Sequence, residues 1–374
     1  MDEQAIFAQR TAKVLEQLAK YKVDALLVVN DEESQRANTR WLCDFSGSSS
    51  LCLLNTEHKL LITDSRYDIQ SRAEVKSPWE IHVALPGKQI DPIIALSLNK
   101  IGVIGKHISV DDFRELRKEL RPTKLLALPN ILSAVQEIKD EYDLYHMRHA
   151  IRAIESALSK IIFGKIVKPE VSELYIKRRL TNALTQLDNV HAFKPIIASG
   201  PNSALPHYSP TKKTNRKIKK GDIIQFDVGC LLEDEDYKSD ISRVVVVGKA
   251  TPEQWRMHKA LLEAQSAALK FYTPGTPVKL ADEEARRILA AYGYDEQVVY
   301  GHGLGHGLGL LIHEEPGVST SQNPKVKFKV GQVVTCEPGI YREGWGGMRL
   351  EDDILITEHG YEILTKFTRD LIEI

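Results

Sequence analysis

A two-domain protein of mixed α/β (α+β) class is predicted: a small amino-terminal α/β domain, then a larger domain of two α-plus-antiparallel-sheet halves in a pseudo-two-fold arrangement. Three observations predict it. A helical pattern over residues 5–21 runs straight into the apolar run 23–29, the opening of an α/β layer. Near residue 136 the texture changes to Glu137-Ile138-Lys139-Asp140-Glu141-Tyr142, the start of a long charged amphipathic helix. Beyond it, single carboxylates recur inside otherwise apolar strand runs, at matched positions of two hairpins. A chain of 374 residues is long enough for two domains and a substantial core, and the expected division is 1–130 and 131–374.

In the first domain Ile6, Val14, Leu18 and Tyr21 recur at helical spacing, and Ala25-Leu26-Leu27-Val28-Val29 reads as a buried strand. Further strands are expected at 51–54, 60–63, 101–104 and 125–128, with a helix over 110–120. The stretches Asn38-Thr39-Arg40-Trp41-Leu42, Phe45-Ser46-Gly47-Ser48-Ser49-Ser50 and Asp64-Ser65-Arg66-Tyr67 are read as turns and strand ends. No cluster of metal-ligand residues occurs in this domain.

In the second domain a helix from 137 past 158 is followed by another over 171–187, then by a strand at 195–200 that delivers Pro206-His207-Tyr208 to an irregular segment. A strand at 222–228, an acidic turn at 233–236 and a return strand over 239–247 make the first hairpin. Helices over 252–271 and 278–292 precede a stretch rich in glycine and histidine. The chain finishes with a strand at 332–337, a glycine-rich turn at 344–347, a strand at 348–356 and a short strand near 361–365.

Composition excludes several classes of function. Hydrophobic residues at 43%, charged ones at 27% and a formal charge of -1 give no electrostatic case for nucleic acid or an anionic membrane as partner. The densest basic run, 212–220, holds six Lys or Arg but ends at Gly221-Asp222 before a strand, and is read as a solvated loop. The four cysteines, Cys43, Cys52, Cys230 and Cys336, lack C-x-x-C spacing, which points to a reducing compartment. The opening Met1-Asp2-Glu3-Gln4 is acidic, unlike a basic signal-peptide start, and no apolar run approaches the roughly 20 residues that span a bilayer. A cytoplasmic protein is expected.

The chemistry is concentrated in the stretch Tyr300-Gly301-His302-Gly303-Leu304-Gly305-His306-Gly307-Leu308-Gly309-Leu310-Leu311-Ile312-His313-Glu314-Glu315-Pro316, with three histidines and two glutamates among five glycines. Glycine at alternate positions permits close backbone approach and leaves His302 and His306 free to project into a shared cavity. The G-x-G-x-x-G dinucleotide pattern cannot be fitted here, and the H-E-x-x-H of a zincin helix is absent. Ile223-Ile224-Gln225-Phe226-Asp227-Val228 and Val333-Val334-Thr335-Cys336-Glu337-Pro338 each carry an acid inside an apolar run. Asp227 and Asp240 stand on the arms of one expected hairpin, Glu337 and Glu351 on those of another. Burying an unpaired carboxylate costs several kcal/mol, so something cationic must compensate. Two divalent ions would balance four carboxylates, with one neutral imidazole as a fifth ligand. Mostly oxygen ligation suits Mn²⁺ or Co²⁺ better than structural Zn²⁺. Such a pair can hold a bridging hydroxide at neutral pH and polarise a carbonyl, which is equipment for hydrolysis.

Together, Phe226-Asp227-Val228-Gly229, Tyr237-Lys238-Ser239-Asp240-Ile241-Ser242-Arg243, Gly305-His306-Gly307-Leu308-Gly309, Glu337-Pro338-Gly339-Ile340-Tyr341 and Arg349-Leu350-Glu351-Asp352 resemble the pita-bread metallopeptidases, within them the aminopeptidase P and prolidase group. Phe45-Ser46-Gly47-Ser48-Ser49 and Asp64-Ser65-Arg66-Tyr67 resemble the amino-terminal domain of that group. The resemblance implies that Asp227 binds one metal, that His306 and Glu337 bind the other, and that Asp240 and Glu351 bridge them. Glu337 would also shuttle a proton. His207, His302 and His313 would line the substrate pocket, with His207 and His313 stabilising the tetrahedral intermediate, and Arg349 would contact substrate or brace the ligands. It further implies two divalent ions, Mn²⁺ expected with Co²⁺ or Zn²⁺ as alternatives, peptide substrates with proline at the second position, and a homodimer.

This chain departs from the pattern in places. Asp236 stands where a glycine usually precedes the tyrosine, in a turn two residues longer than usual, and Ser242 replaces a threonine while keeping the hydroxyl. Gly317 stands where dipeptide-specific prolidases carry an arginine for the product proline's carboxylate. The expectation is therefore an Xaa-Pro aminopeptidase, with Xaa-Pro dipeptidase (prolidase) as the alternative and a non-catalytic binding protein third. Creatinase lacks the full ligand set, and methionine aminopeptidase lacks the domain in front.

Overall fold

The computed structural model describes residues 2–31, 34–294 and 299–374, and the chain divides into two compact units, Met1–Gln136 and Glu137–Ile374. The first unit extends past residue 130 because the short helix Ser133–Gln136 belongs to it: Val135 is buried, and Gln136 Nε2 donates to Asn38 Oδ1 at 2.9 Å.

Six strands of the amino-terminal unit, β1 (Ala25–Asn30), β2 (Ser50–Leu54), β3 (Lys59–Asp64), β4 (Glu80–Ala84), β5 (Lys100–Ile104) and β6 (Lys124–Leu128), form one sheet in the order β4-β3-β2-β1-β5-β6. β2 is antiparallel to both neighbours and every other pairing is parallel. Six helices accompany them: α1 (Glu3–Leu18), α2 (Arg36–Cys43), α3 (Asp68–Glu74), α4 (Asp91–Ala95), α5 (Val110–Glu119) and α6 (Ser133–Gln136). β1 is apolar along nearly its whole length because both its faces are covered. Leu27 packs with Leu53, Ile62, Val103 and Leu116 on one face, so Leu27→Ala should cost about 2–5 kcal/mol. The stretch Asn38-Thr39-Arg40-Trp41-Leu42, read from sequence as a turn, is instead part of α2. Its polar residues concealed an inward face, on which Trp41, Leu42 and Cys43 are buried and Trp41 O accepts from Arg10 Nη1 at 3.0 Å. β4 escaped the sequence pattern because most of its side chains stay partly or fully exposed.

In the second unit, α7 (Glu141–Ile162) starts later than expected because Asp140 caps it. The Asp140 side chain accepts from Asp143 N, and the Asp143 side chain accepts from Asp140 N, each at 2.9 Å. α8 (Glu173–Thr185), α9 (Pro252–Ala268) and α10 (Lys279–Ala291) complete the helices. The strands are β7 (Asn189–His191), β8 (Ile196–Ser199), β9 (Ile223–Val228), β10 (Cys230–Leu232), β11 (Ile241–Val246), β12 (Gly305–Gly307), β13 (Glu314–Val318), β14 (Val333–Cys336), β15 (Gly339–Arg342), β16 (Gly346–Arg349), β17 (Asp352–Thr357), β18 (Gly360–Ile363) and β19 (Ile372–Glu373). One sheet has the order β19-β11-β9-β8 and the other β13-β12-β14-β17-β18. Residues of α7 and α8 share one core with the first sheet, and residues of α9 and α10 share another with the second. Each half is thus a helix pair on a sheet.

Strand alternation positions the acids. Ile224, Phe226 and Val228 of β9 join the core beneath α7 and α8, which turns Ile223, Gln225 and Asp227 to the opposite face. In β14, Val334 and Cys336 join the other core, and Val333 and Thr335 take the opposite side. The second hairpin differs from the single long return strand expected over 348–356. β16 pairs with β15, β17 pairs with β14, and Leu350-Glu351 lies between the two ladders. Pro338 explains the break, since it has no N–H to donate: its carbonyl accepts from Leu350 N at 3.2 Å, while Glu351 N donates across to Ser242 O of β11.

Candidate metal centre

The glycine-rich stretch becomes a strand wedged between two others. A Cβ at Gly305 would lie 2.0 Å from Thr335 O, and one at Gly307 would lie 2.2 Å from Glu315 O, so only glycine fits on either side of His306. The His306 amide donates to Thr335 Oγ1 at 3.0 Å, and Nδ1 lies 3.0 Å from the Gly307 carbonyl, an acceptor that requires the proton on Nδ1. Nε2 then carries the lone pair. It lies 3.5 Å from Glu337 Oε1 and 3.8 Å from Asp240 Oδ2. Burial pushes His306 down to about 4, which leaves a neutral imidazole with a free nitrogen facing acids.

Asp240, His306 and Glu351 each offer a ligand atom, and the three atoms lie within 4.8 Å of one another. Burial pushes Asp240 well up, and the charges of Glu351, Asp227, Asp353 and Glu337 push it further. Glu351 is raised well above the usual carboxylate range by burial and then by Glu337 and Asp227. Glu337 is pushed up to about 8, again chiefly by burial, with the Arg349 guanidinium pulling the other way. Asp240 Oδ1 is buried with no hydrogen-bond partner among the described residues. Four carboxylates thus share one cavity with a single buried guanidinium. Repulsion among desolvated acids, an orphaned carboxylate oxygen and an unprotonated imidazole nitrogen are together a donor set that fits divalent cations.

Asp227 stands somewhat apart from the other three acids. It lines the same cavity, but its Oδ2 accepts from Arg349 Nη2. Arg349 also donates to Tyr341 OH at 2.5 Å and Ser242 Oγ at 3.0 Å, and its Nε lies 3.9 Å from Glu337 Oε2. His302 turns Nδ1 to the Gly303 carbonyl at 2.7 Å, with Nε2 3.4 Å from Tyr341 OH, and burial pushes it down to about 4. The His313 ring meets that of His306 edge-on at 4.5 Å between centroids. His207 is exposed and lines the same cavity of about 760 Å³. Every residue singled out from sequence therefore borders this one space: Asp227, Asp240, His306, Glu337, Glu351, His207, His302, His313 and Arg349.

The sequence reading assigned no site role to the residues that brace the acids. Ser242 Oγ donates to Glu351 Oε2 at 2.9 Å, Thr335 Oγ1 donates toward Glu337 Oε1 at 3.4 Å, and Asp353 Oδ2 accepts from Asp240 N at 3.2 Å. Period-two spacing from Glu337 and Glu351 could have found Thr335 and Asp353, since residues two apart share a strand face. Phe193, Lys194, Ile196 and Ile312 also line the cavity, and nothing in their local sequence marks them.

Comparison with known proteins follows the same lines. Residues 145–358 match the description "Metallopeptidase family M24", and residues 10–138 match "Creatinase/Prolidase N-terminal domain". An Xaa-Pro dipeptidase of Pyrococcus horikoshii is 30% identical over 374 residues, covering 98% of this chain and 99% of the relative. Among solved structures, an X-Pro aminopeptidase from Thermotoga maritima superposes with a TM-score of 0.88 at 32% identity, covering 96% of this chain and 100% of that one. An Xaa-Pro dipeptidase from Bacillus anthracis gives 0.89 at 27% identity, covering 98% and 100%. These likenesses run through both units and reach the acid-lined cavity, so the chain belongs to metallopeptidase family M24 and is a peptidase that cuts by hydrolysis.

Proposed function

We propose that this chain is a dinuclear-metal peptidase that releases the residue preceding a proline at a free amino terminus. The observation that carries the reading is the group of four carboxylates about the unprotonated Nε2 of His306 in a cavity of about 760 Å³. Asp227, Asp240, His306, Glu337 and Glu351 would hold two divalent ions, Mn²⁺ by preference for an oxygen-rich set. When bound, such ions lower the pKa of water and polarise the scissile carbonyl.

The side chains supply the remainder. Glu337 turns Oε1 toward His306 and Oε2 toward Arg349 and His302, and Oε2 would take the proton of the attacking water and return it to the proline nitrogen. His313 is held below its ordinary value by burial and then by His207, so it donates a hydrogen bond to the tetrahedral oxyanion as a neutral ring, with His207 beside it. Arg349 holds Asp227 in place through the bond to its Oδ2. Phe193, Ile196 and Ile312 give the cavity an apolar wall suited to a proline ring.

Gly317 contributes no side chain to the wall, and a Cβ there would meet only Gln322 Nε2, at 3.6 Å. That open space favours peptides extending beyond proline, hence Xaa-Pro aminopeptidase activity. Xaa-Pro dipeptidase activity is the second reading, supported by relatives that carry that name. A homodimer in the cytoplasm, with no nucleic-acid or membrane partner, completes the proposal; no helix among the described residues is long and apolar enough to cross a membrane. The deciding experiment compares hydrolysis of an Xaa-Pro-Xaa tripeptide with that of an Xaa-Pro dipeptide after Mn²⁺ loading. Faster turnover of the tripeptide is expected, and preference for the dipeptide would reverse the choice.

A further inference from the structure

In each half of the second unit a fully buried acid stands in the first turn of the second helix, and each accepts a hydrogen bond from a tyrosine hydroxyl. Glu173 of α8 gathers the segment that leaves β8. Its Oε1 accepts from Ser199 N and Oγ, both at 2.7 Å, and its Oε2 from Tyr208 OH at 2.7 Å and Arg216 N at 3.2 Å. Asn202 Nδ2 reaches both oxygens at 3.1 Å, and the Tyr208 hydroxyl also lies against the Thr214 carbonyl. Asp282 of α10 gathers the segment that runs toward β12. Its Oδ1 accepts from Tyr300 OH at 2.6 Å and Arg286 Nε at 3.0 Å, and its Oδ2 from Thr320 N at 2.8 Å. Arg286 in turn donates to the carbonyls of Tyr300, at 3.2 Å, and His302, at 2.9 Å. Burial, and then the neighbouring carboxylate, push both tyrosine hydroxyls up, so each stays protonated and remains a donor.

Chain position ties these tyrosines to the site. Tyr208 adjoins His207, Tyr300 stands two residues before His302, and both histidines line the acid-bearing cavity. The ring of His207 makes no hydrogen bond among the described residues, so the backbone on either side sets where it stands; Arg349 Nη2 donates to the Pro206 carbonyl on one side at 3.4 Å. His302 has more support, with Nδ1 at the Gly303 carbonyl and Nε2 near Tyr341 OH. We propose that the Tyr208–Glu173 and Tyr300–Asp282 pairs are matched tethers, one in each half, that position His207 and His302 against the substrate. Neither acid lines the cavity, so both act through the histidines and are positioning residues. The inference rests on the reading of the protein as an Xaa-Pro peptidase and adds what holds two of its pocket residues in place. A carboxylate removed from water must be met by donors, and one that takes its donors from a loop fixes the path of that loop. Displacing a reacting-centre contact by about 1 Å can cost on the order of 10²-fold in rate.

The test is a pair of double-mutant cycles on the Mn²⁺-loaded full chain with an Xaa-Pro-Xaa peptide. Tyr208→Phe removes the hydroxyl and keeps the ring. It should lower kcat about tenfold with KM within about twofold, and should do nothing further in a His207→Ala background. Tyr300→Phe should cost about threefold, because His302 has bonds of its own, and nothing further in His302→Ala. Crossing the pairs should multiply the losses. Wild-type kcat in both tyrosine variants overturns the assignment, and so do losses that multiply within a pair as they do across pairs, since a general loosening of the fold acts alike in either histidine background. Spectroscopy reports independently of turnover. In the Zn²⁺-loaded chain, which is diamagnetic, Tyr208→Phe should shift or broaden the ring ¹³Cε1 signal of His207 and leave that of His302, and Tyr300→Phe should do the reverse. A ring signal unmoved by its own tyrosine variant overturns that tether. If no Xaa-Pro peptide is hydrolysed, the parent reading fails, and the ring signals still decide for or against the tethers.

Discussion

Two cavities of this molecule are walled by acids, and they differ in where those acids stand. The amino-terminal unit holds one of about 550 Å³, lined among others by Asp31, Asp64, Asp112, Glu115 and Glu119. Four of these five are exposed, and the fifth, Asp64, is held below the usual carboxylate range by hydrogen bonds from the Arg66 side chain. Asp112 accepts from Ser109 Oγ at 2.5 Å in the first turn of α5. In the second unit, Asp240 and Glu351 are buried and raised, and Glu337 is raised with them. Similar numbers of carboxylates therefore mean different things. Water and local caps satisfy the first group, while the second is left short of positive charge, and that shortage is what calls for a cation.

The contrast can be broken most sharply at its buried side. His306→Ala removes the imidazole whose Nε2 faces both Asp240 and Glu337, and hydrolysis of an Xaa-Pro-Xaa peptide should fall by about 10³-fold or more; wild-type turnover in Mn²⁺-supplemented buffer would erase the distinction. A slightly smaller effect is expected in the pH dependence of the metal-free chain. Glu337 has its value raised from 4.5 in the unfolded chain to about 8 in the fold, so between those values the folded state binds the extra proton. Its contribution is fully present below about pH 4.5 and is lost as pH rises to about 8, a fall on the order of a few kcal/mol in urea denaturation that Glu337→Gln should flatten.

Ser242→Ala should cost about 10–100-fold in Mn²⁺ affinity measured by calorimetry, because the hydroxyl joins Arg349 Nε to Glu351 Oε2 without being a proposed ligand. The smallest effect belongs to the other cavity. Glu115→Gln combined with Glu119→Gln should leave the number of bound metal ions unaltered and change stability by no more than about 0.5 kcal/mol, since both side chains are exposed. A change in metal stoichiometry there would show that exposed acids also recruit ions.

What could be read from the chain followed burial. Asp227 stood out because it interrupts a largely apolar run, and every residue of β9 is buried, so an acid in it had to have a reason. β1, β2, β3 and β5 were legible for the same cause, and β6 through its run of apolar residues although three of its five side chains are exposed, whereas β4, with its exposed alternation, and α2, with its polar opening, were not. The division of the second hairpin at Leu350-Glu351 depended on which partner each segment would choose, a long-range matter that local pattern does not carry. The pairing of Arg349 with Asp227 was hidden for the same reason, since the two are far apart along the chain. Lys194 looked like any surface lysine, and only the folded chain brings it to the lining of the cavity.

The crowding around His306 has one more implication. Its neighbours in the chain, Gly305 and Gly307, press bare main chain against the carbonyls of Thr335 and Glu315. A single methyl group at either position would have to displace backbone on a flanking strand, and the ring would shift with it. The accuracy of that imidazole is thus set by missing atoms, and alanine there should be felt in function well before it is felt in folding.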